Sequence, residues 1–214
     1  MNKLYVFSGL GVDQRVFSRI NFSNRNVVFV PWIPPLPNES LSAYAKRISI
    51  PFKDENPILI GVSFGGMICS EIAKIIPVQK VLLISSIQNP NQLPLLYKIV
   101  GKLRLDQLVP AFVFQYVTFL NYFFFGISSS QDKKLLKEIM NDTDPNFLKW
   151  AIGSILRWNT SNISVPVVTI HGSNDLVLPI IKFVPNIKIQ NGGHFMIVSH
   201  SDEVQKALDY FLGN

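Results

Sequence analysis

The chain has 214 residues, 48% of them hydrophobic and 16% charged, with 20 Lys and Arg against 14 Asp and Glu. This composition excludes a disordered chain and predicts one sizeable core, with one domain or one domain carrying a large insertion. The net charge of +6 comes from scattered residues, with Lys133-Lys134 the longest pure cluster, so a solvated surface is expected and no nucleic-acid partner. Cys69 is the single cysteine, which excludes an intrachain disulfide framework or a multi-cysteine metal site; it is expected as a small core residue.

Met1-Asn2-Lys3 leads into only four apolar residues, so no signal peptide is expected, and with the cysteine count this favours the cytoplasm. Leu4 to Phe7 predicts a first buried strand, bounded by Ser8-Gly9. Asp13 can cap a short helix bearing Val16, Phe17 and Ile20. Val27 to Val30 predicts a second buried strand, after which Pro31, Pro34, Pro35 and Pro37 force an extended loop. Ser40 can cap a helix with Leu41, Tyr44, Ala45 and Ile48 on one face. Pro57 to Ile60 predicts the third strand, Met67 to Ile76 a helix closed by Pro77, and Lys80 to Ile84 the fourth strand.

These strands are continuous apolar runs separated by helices, the pattern of a parallel sheet covered on both faces. Ligand sites in such sheets lie at the carboxyl ends of the strands. The pattern breaks at Asn89-Pro90 and resumes at Pro166 to Ile170. Residues 1–89 and 165–214 are therefore expected to form one core, with 90–164 a helical insertion. Within it, Leu135, Leu136, Ile139 and Met140 share a helix face, and Asp144-Pro145 starts another helix. Residues 108–127 are nearly all apolar and about long enough to span a bilayer. A span would separate chemistry that must act together, so a buried, aromatic-rich lid helix or pair of helices is preferred, with contact to a membrane surface as the alternative. Ile187 to Ile189 predicts a last strand, and Val204, Ala207, Leu208 and Phe211 the apolar stripe of a last helix.

Gly61-Val62-Ser63-Phe64-Gly65-Gly66 falls where the third strand turns into a helix. In that context Gly-x-Ser-x-Gly is a candidate nucleophile elbow: glycines clear the way for a tight turn that exposes the Ser63 hydroxyl. The alternative is an ordinary Gly/Ser turn. A serine needs a base. His194, after Gly192-Gly193, is the preferred base; His171, expected at a strand end in a structural role, and His200, expected at the surface, are the alternatives. Asp175, just past a strand end, is the candidate acid that orients the base, or else caps a short helix. The backbone N–H groups of Phe64 and Leu10 are the candidate oxyanion donors.

The motifs Ser8-Gly9-Leu10-Gly11, Gly61 to Gly66, His171-Gly172-Ser173-Asn174-Asp175 and Gly192-Gly193-His194-Phe195 together resemble those of the α/β-hydrolase fold, in particular its small bacterial serine hydrolases. The resemblance implies a mostly parallel sheet of about six strands, because the first strand matches the family's third. It also implies that 90–164 is a cap that sets substrate choice, and a Ser63–Asp175–His194 triad acting through an acyl-enzyme without metal or cofactor. Ser8 stands where many members have histidine. The expected substrate is a small molecule with an apolar acyl or aromatic group and an ester-like bond. Thioesterase or another triad-dependent reaction is an alternative, and so is a receptor that retains the fold without catalysis.

Overall fold

In a computed structural model, residues 3–23, 25–53, 55–116 and 118–213 are described. Six strands, β1 (Leu4–Phe7), β2 (Val27–Phe29), β3 (Ile58–Val62), β4 (Lys80–Ile84), β5 (Val167–Gly172) and β6 (Ile187–Ile189), form one sheet in the order β2-β1-β3-β4-β5-β6. Every pairing is parallel, and the register sets Phe7 beside Gly61 and Val62 beside Ile84.

Side chains alternate across the sheet and meet two apolar layers. Leu4, Val6, Ile58, Ile60, Leu82 and Ile84 face the layer that includes α7 (Met196–Ser199) and α8 (Ser201–Leu212). Tyr5, Phe7, Leu59, Val81 and Leu83 face the layer with α1 (Leu41–Ser49) and α2 (Phe64–Ile72). Leu59, Ile60 and Leu82 are fully buried; each such side chain contributes about 1.5–3 kcal/mol. The core strands read as unbroken apolar runs because both faces are covered.

Local signals act where the sequence places them. Asp13 accepts from the Arg15 N–H and caps a 3-10 turn, Gln14–Phe17. Ser40 caps α1 through the Ala43 N–H. Four further helices lie between β4 and β5: α3 (Leu95–Lys102), α4 (Phe119–Phe125), α5 (Ser130–Asp142) and α6 (Pro145–Leu156), with 3-10 turns at Leu105–Leu108 and Ala111–Gln115. Asp144 caps α6, with Pro145 at its first position.

Three expectations are corrected. β2 is half-buried rather than buried, because it is an edge strand paired on one side only. α2 stops at Ile72, short of Pro77, and the intervening residues form turns. Among the described residues of 108–127 the chain forms a 3-10 turn and α4 rather than one helix, and it is only partly buried: Ile127 is buried and Phe114, Tyr122 and Phe125 pack on the core, whereas Leu108 is 79% exposed and Phe119 76%. Among the described residues no helix is long and apolar enough to cross a membrane.

Candidate active site

Ser63 sits between β3 and α2 with φ 50° and ψ −117°. A non-glycine residue pays strain there, of order 1–3 kcal/mol, and the surroundings impose it. A Cβ on Gly61 would lie 2.4 Å from the Gly66 N, and one on Gly65 would lie 2.3 Å from the Ser8 O. The elbow therefore forms only because these two positions lack side chains. The Ser86 hydroxyl donates to the Ser63 carbonyl at 2.6 Å and fixes the turn from the β4 side.

Three predicted residues, distant in sequence, meet at the carboxyl ends of β3, β5 and β6. His194 Nδ1 is 2.8 Å from Asp175 Oδ2, and His194 Nε2 is 2.8 Å from Ser63 Oγ. A carboxylate only accepts, so Nδ1 carries the proton and the Nε2 lone pair faces the serine O–H. Asp175 is 2% exposed and His194 8%. Burial pushes the Asp175 carboxyl up, but the charge of His194 and hydrogen bonds from His171 and His194 outweigh it and hold the group well below the ordinary carboxylate range.

Asp175 also fills the capping role that was its alternative reading. Its Oδ1 accepts from the Val177 N–H at 2.9 Å and the Leu178 N–H at 2.8 Å, while Oδ2 faces the imidazoles. The two readings are one device: backbone donors fix one oxygen so that the other has a single direction.

The other histidines part company. The His200 side chain lies away from Ser63, with its Nδ1 3.0 Å from the hydroxyl of its neighbour Ser199. His171 is fully buried and its Nε2 lies 2.8 Å from the Leu178 O and 3.1 Å from Asp175 Oδ2. Both partners only accept, so His171 is protonated on Nε2 and supports the same carboxylate oxygen that faces His194. Sequence reading gave it a structural role but missed this contact; its spacing four residues before Asp175 was the available signal.

Gly9 backs onto Ser63, since a Cβ there would lie 3.5 Å from the Ser63 Cβ. Among the described residues, neither the Leu10 nor the Phe64 N–H donates to a protein acceptor. A cavity of about 160 Å³ opens over Ser63 and His194, and its walls are almost wholly apolar, among them Leu10, Met67, Tyr97, Phe125, Ile155 and Leu178. A larger cavity of about 450 Å³, beside Asp13, Trp32 and Asp142, does not include the serine or the histidine, so size alone would misplace the site. Among the described residues no group of His, Cys, Asp and Glu side chains is arranged to hold a metal ion.

The end of α4 touches His194. The Phe125 ring lies 5.6 Å from the imidazole of His194, the Phe195 N–H donates to the Phe125 O at 3.0 Å, and Gly126 and Gly193 pass so closely that a Cβ on Gly126 would be 2.9 Å from the Gly193 Cα. Nothing in the sequence linked these segments beforehand, though both carry glycine at the crossing.

No family model and no curated protein matches the sequence. Solved structures match by shape. A thermophilic esterase from Thermogutta terrifontis superposes with a TM-score of 0.71 at 14% identity, over 99% of this chain and 89% of that one. MenH from S. aureus gives 0.68 at 19% identity, over 99% and 93%. A bromoperoxidase from Bacillus anthracis gives 0.67 at 15% identity, over 100% and 93%. These likenesses establish the fold: the chain has the α/β-hydrolase architecture.

Proposed function

We propose that this α/β-hydrolase-fold protein is a serine hydrolase that cleaves an ester-like bond in a small molecule with an apolar acyl or aromatic group. The observation that carries the reading is the pair of 2.8 Å contacts joining Ser63, His194 and Asp175, with the serine held at positive φ. In this reading Ser63 Oγ attacks the carbonyl carbon as its proton passes to His194 Nε2. The developing oxyanion takes the free N–H groups of Leu10 and Phe64, each such donor being worth roughly 10²–10³ in rate. The intermediate collapses, His194 returns the proton to the leaving oxygen, and the acyl group stays on Ser63. Water then repeats the sequence with His194 as base, freeing the acid.

Residues 90–164 act as a cap in this reading. Tyr97, Phe125 and Ile155 come from it and line the cavity, so it shapes the acyl site. Esterases among the structural neighbours are in keeping with this chemistry. The aqueous cytoplasm suits a chain whose single cysteine, Cys69, is buried and unpaired.

Labelling with a fluorescent fluorophosphonate, mapped by peptide mass, tests the assignment. Ser63 should take the label, and Ser63→Ala should take none. A folded wild-type protein that stays unlabelled overturns the activated serine and leaves a receptor for small apolar ligands. Medium-chain esters should turn over faster than short polar ones; the reverse order removes the apolar acyl site.

A further inference from the structure

A surface helix normally turns its apolar stripe inward. α3 does not. Its close approach to α6 is made by Gly101, where a Cβ would lie 2.2 Å from the Leu156 O, while Leu95, Leu96 and Ile99 stand exposed. The pattern continues along the chain. Thirteen of the twenty large hydrophobic side chains that are exposed among the described residues lie between Leu95 and Phe124. They include Leu108, Phe112, Phe119 and Phe123, the last two on α4. Soluble surfaces rarely gather so much apolar area without a partner.

Charge identifies the partner. Between Glu71 and Asp132 the sequence has one carboxylate, Asp106, and it is buried against Arg157 at 2.8 Å. Lys98, Lys102 and Arg104 lie in the same stretch, and among the described residues none of the three is in an ion pair. A second copy seated two-fold on this face would set cation against cation, with no exposed carboxylate to relieve it. An anionic bilayer offers what the face lacks: acidic headgroups for the cations and a hydrocarbon boundary for the phenylalanines and leucines.

We propose that α3, the 3-10 turns after it and α4 dock the molecule peripherally on an anionic lipid surface. The proposal stands apart from the catalytic reading, because none of the docking side chains named here belongs to the triad or lines its cavity. It does have a geometric relation to that site. α4 ends at Phe125, which touches His194, so a docked molecule would hold its cavity close to the lipid.

The test is flotation of the full chain with vesicles of phosphatidylcholine alone and of phosphatidylcholine mixed with phosphatidylglycerol. The protein should float with the mixed vesicles and far less with the neutral ones. Phe119→Ser combined with Phe123→Ser should weaken partition at least about tenfold. Lys98→Ala, Lys102→Ala and Arg104→Ala together should weaken it by about fivefold per charge. Phe119, Phe123, Lys102 and Arg104 are exposed and Lys98 is half-buried and, among the described residues, outside any ion pair, so circular dichroism and the unfolding midpoint should change little; should the phenylalanine variant fail to fold, the cation variant carries the test. Absence of flotation overturns the proposal. So does flotation that the phenylalanine variant leaves unchanged and salt abolishes, which would be adsorption by net charge. A concentration-dependent dimer in sedimentation velocity that the phenylalanine variant dissolves would assign the face to a second copy instead.

Discussion

Asp175→Asn replaces one oxygen by nitrogen, and the structure says which one. Oδ1 accepts two backbone N–H groups, from Val177 and Leu178, so the amide oxygen must remain there. The NH2 group then takes the place of Oδ2, facing His194 Nδ1 at 2.8 Å and His171 Nε2 at 3.1 Å. Both imidazoles now meet a donor. His194 responds by accepting at Nδ1 and carrying its proton on Nε2, where it points at Ser63 and cannot receive the serine's proton. The expected loss is about 10⁴ in kcat. His171 has no comfortable response. Keeping Nε2–H sets donor against donor; moving the proton to Nδ1 abandons the Leu178 carbonyl and places the N–H where the described residues offer no hydrogen-bond partner. Either course costs about 1–3 kcal/mol of stability. Ester hydrolysis, urea unfolding and the nitrogen shifts of the two imidazoles read the two effects separately. Activity within tenfold of wild type, or a His194 that keeps its proton on Nδ1, would refute the reasoning about the tautomer. Unchanged stability would refute the role given to His171.

The same carboxylate makes stability depend on pH. Its folded pKa is depressed, so its contribution is fully present above the unfolded value near 3.9 and is lost as pH falls from there toward the folded value. Over that acid window the group should make wild type lose up to about 1.4 kcal/mol per pH unit, a slope absent from Asp175→Asn in urea titrations at pH 5, 4 and 3. Ser63→Gly should be inactive yet more stable than Ser63→Ala by about 1 kcal/mol, because only glycine relieves the positive φ at that position; equal midpoints in urea would show that the turn is unstrained. Gly65→Ala should cost about 3 kcal/mol or fail to yield soluble protein, since its Cβ meets the Ser8 and Phe7 carbonyls at 2.3 and 2.6 Å; a native-like melting curve would contradict that contact.

The sheet was legible in the sequence because each of its central strands is a run of apolar residues bounded by turn formers, and burial on both faces requires such runs. Ser63, His194 and Asp175 were legible for a different reason: glycines at the elbow and before the histidine mark backbone crossings that side chains would obstruct. What escaped reading depends on neighbours far away in sequence. Val27 to Phe29 has the composition of an inner strand, and it is an edge because, among the described residues, no strand pairs with its outer side. Residues 108–127 carry the hydrophobicity of a core, but only some of them, Phe114, Tyr122, Phe125 and Ile127, pack on one, and hydropathy does not record which face is covered. The short α7 lacks a periodic signal because it has four residues. The contact of Phe125 with His194 joins two loops whose approach is fixed by how α4 enters, which no local pattern encodes.

The helices between β4 and β5 also set a schedule. β4 has its neighbour β3 as soon as both are made, but its other side pairs Val81 with Val167, and that strand is synthesised much later. At 5–20 residues per second, the intervening stretch takes about 4–17 s to translate. During that interval Val81, Leu82, Leu83 and Ile84 present an open backbone ladder, and an unpaired apolar strand invites pairing with other chains. On the ribosome, then, the growing chain should be most in need of a chaperone just before Val167 appears.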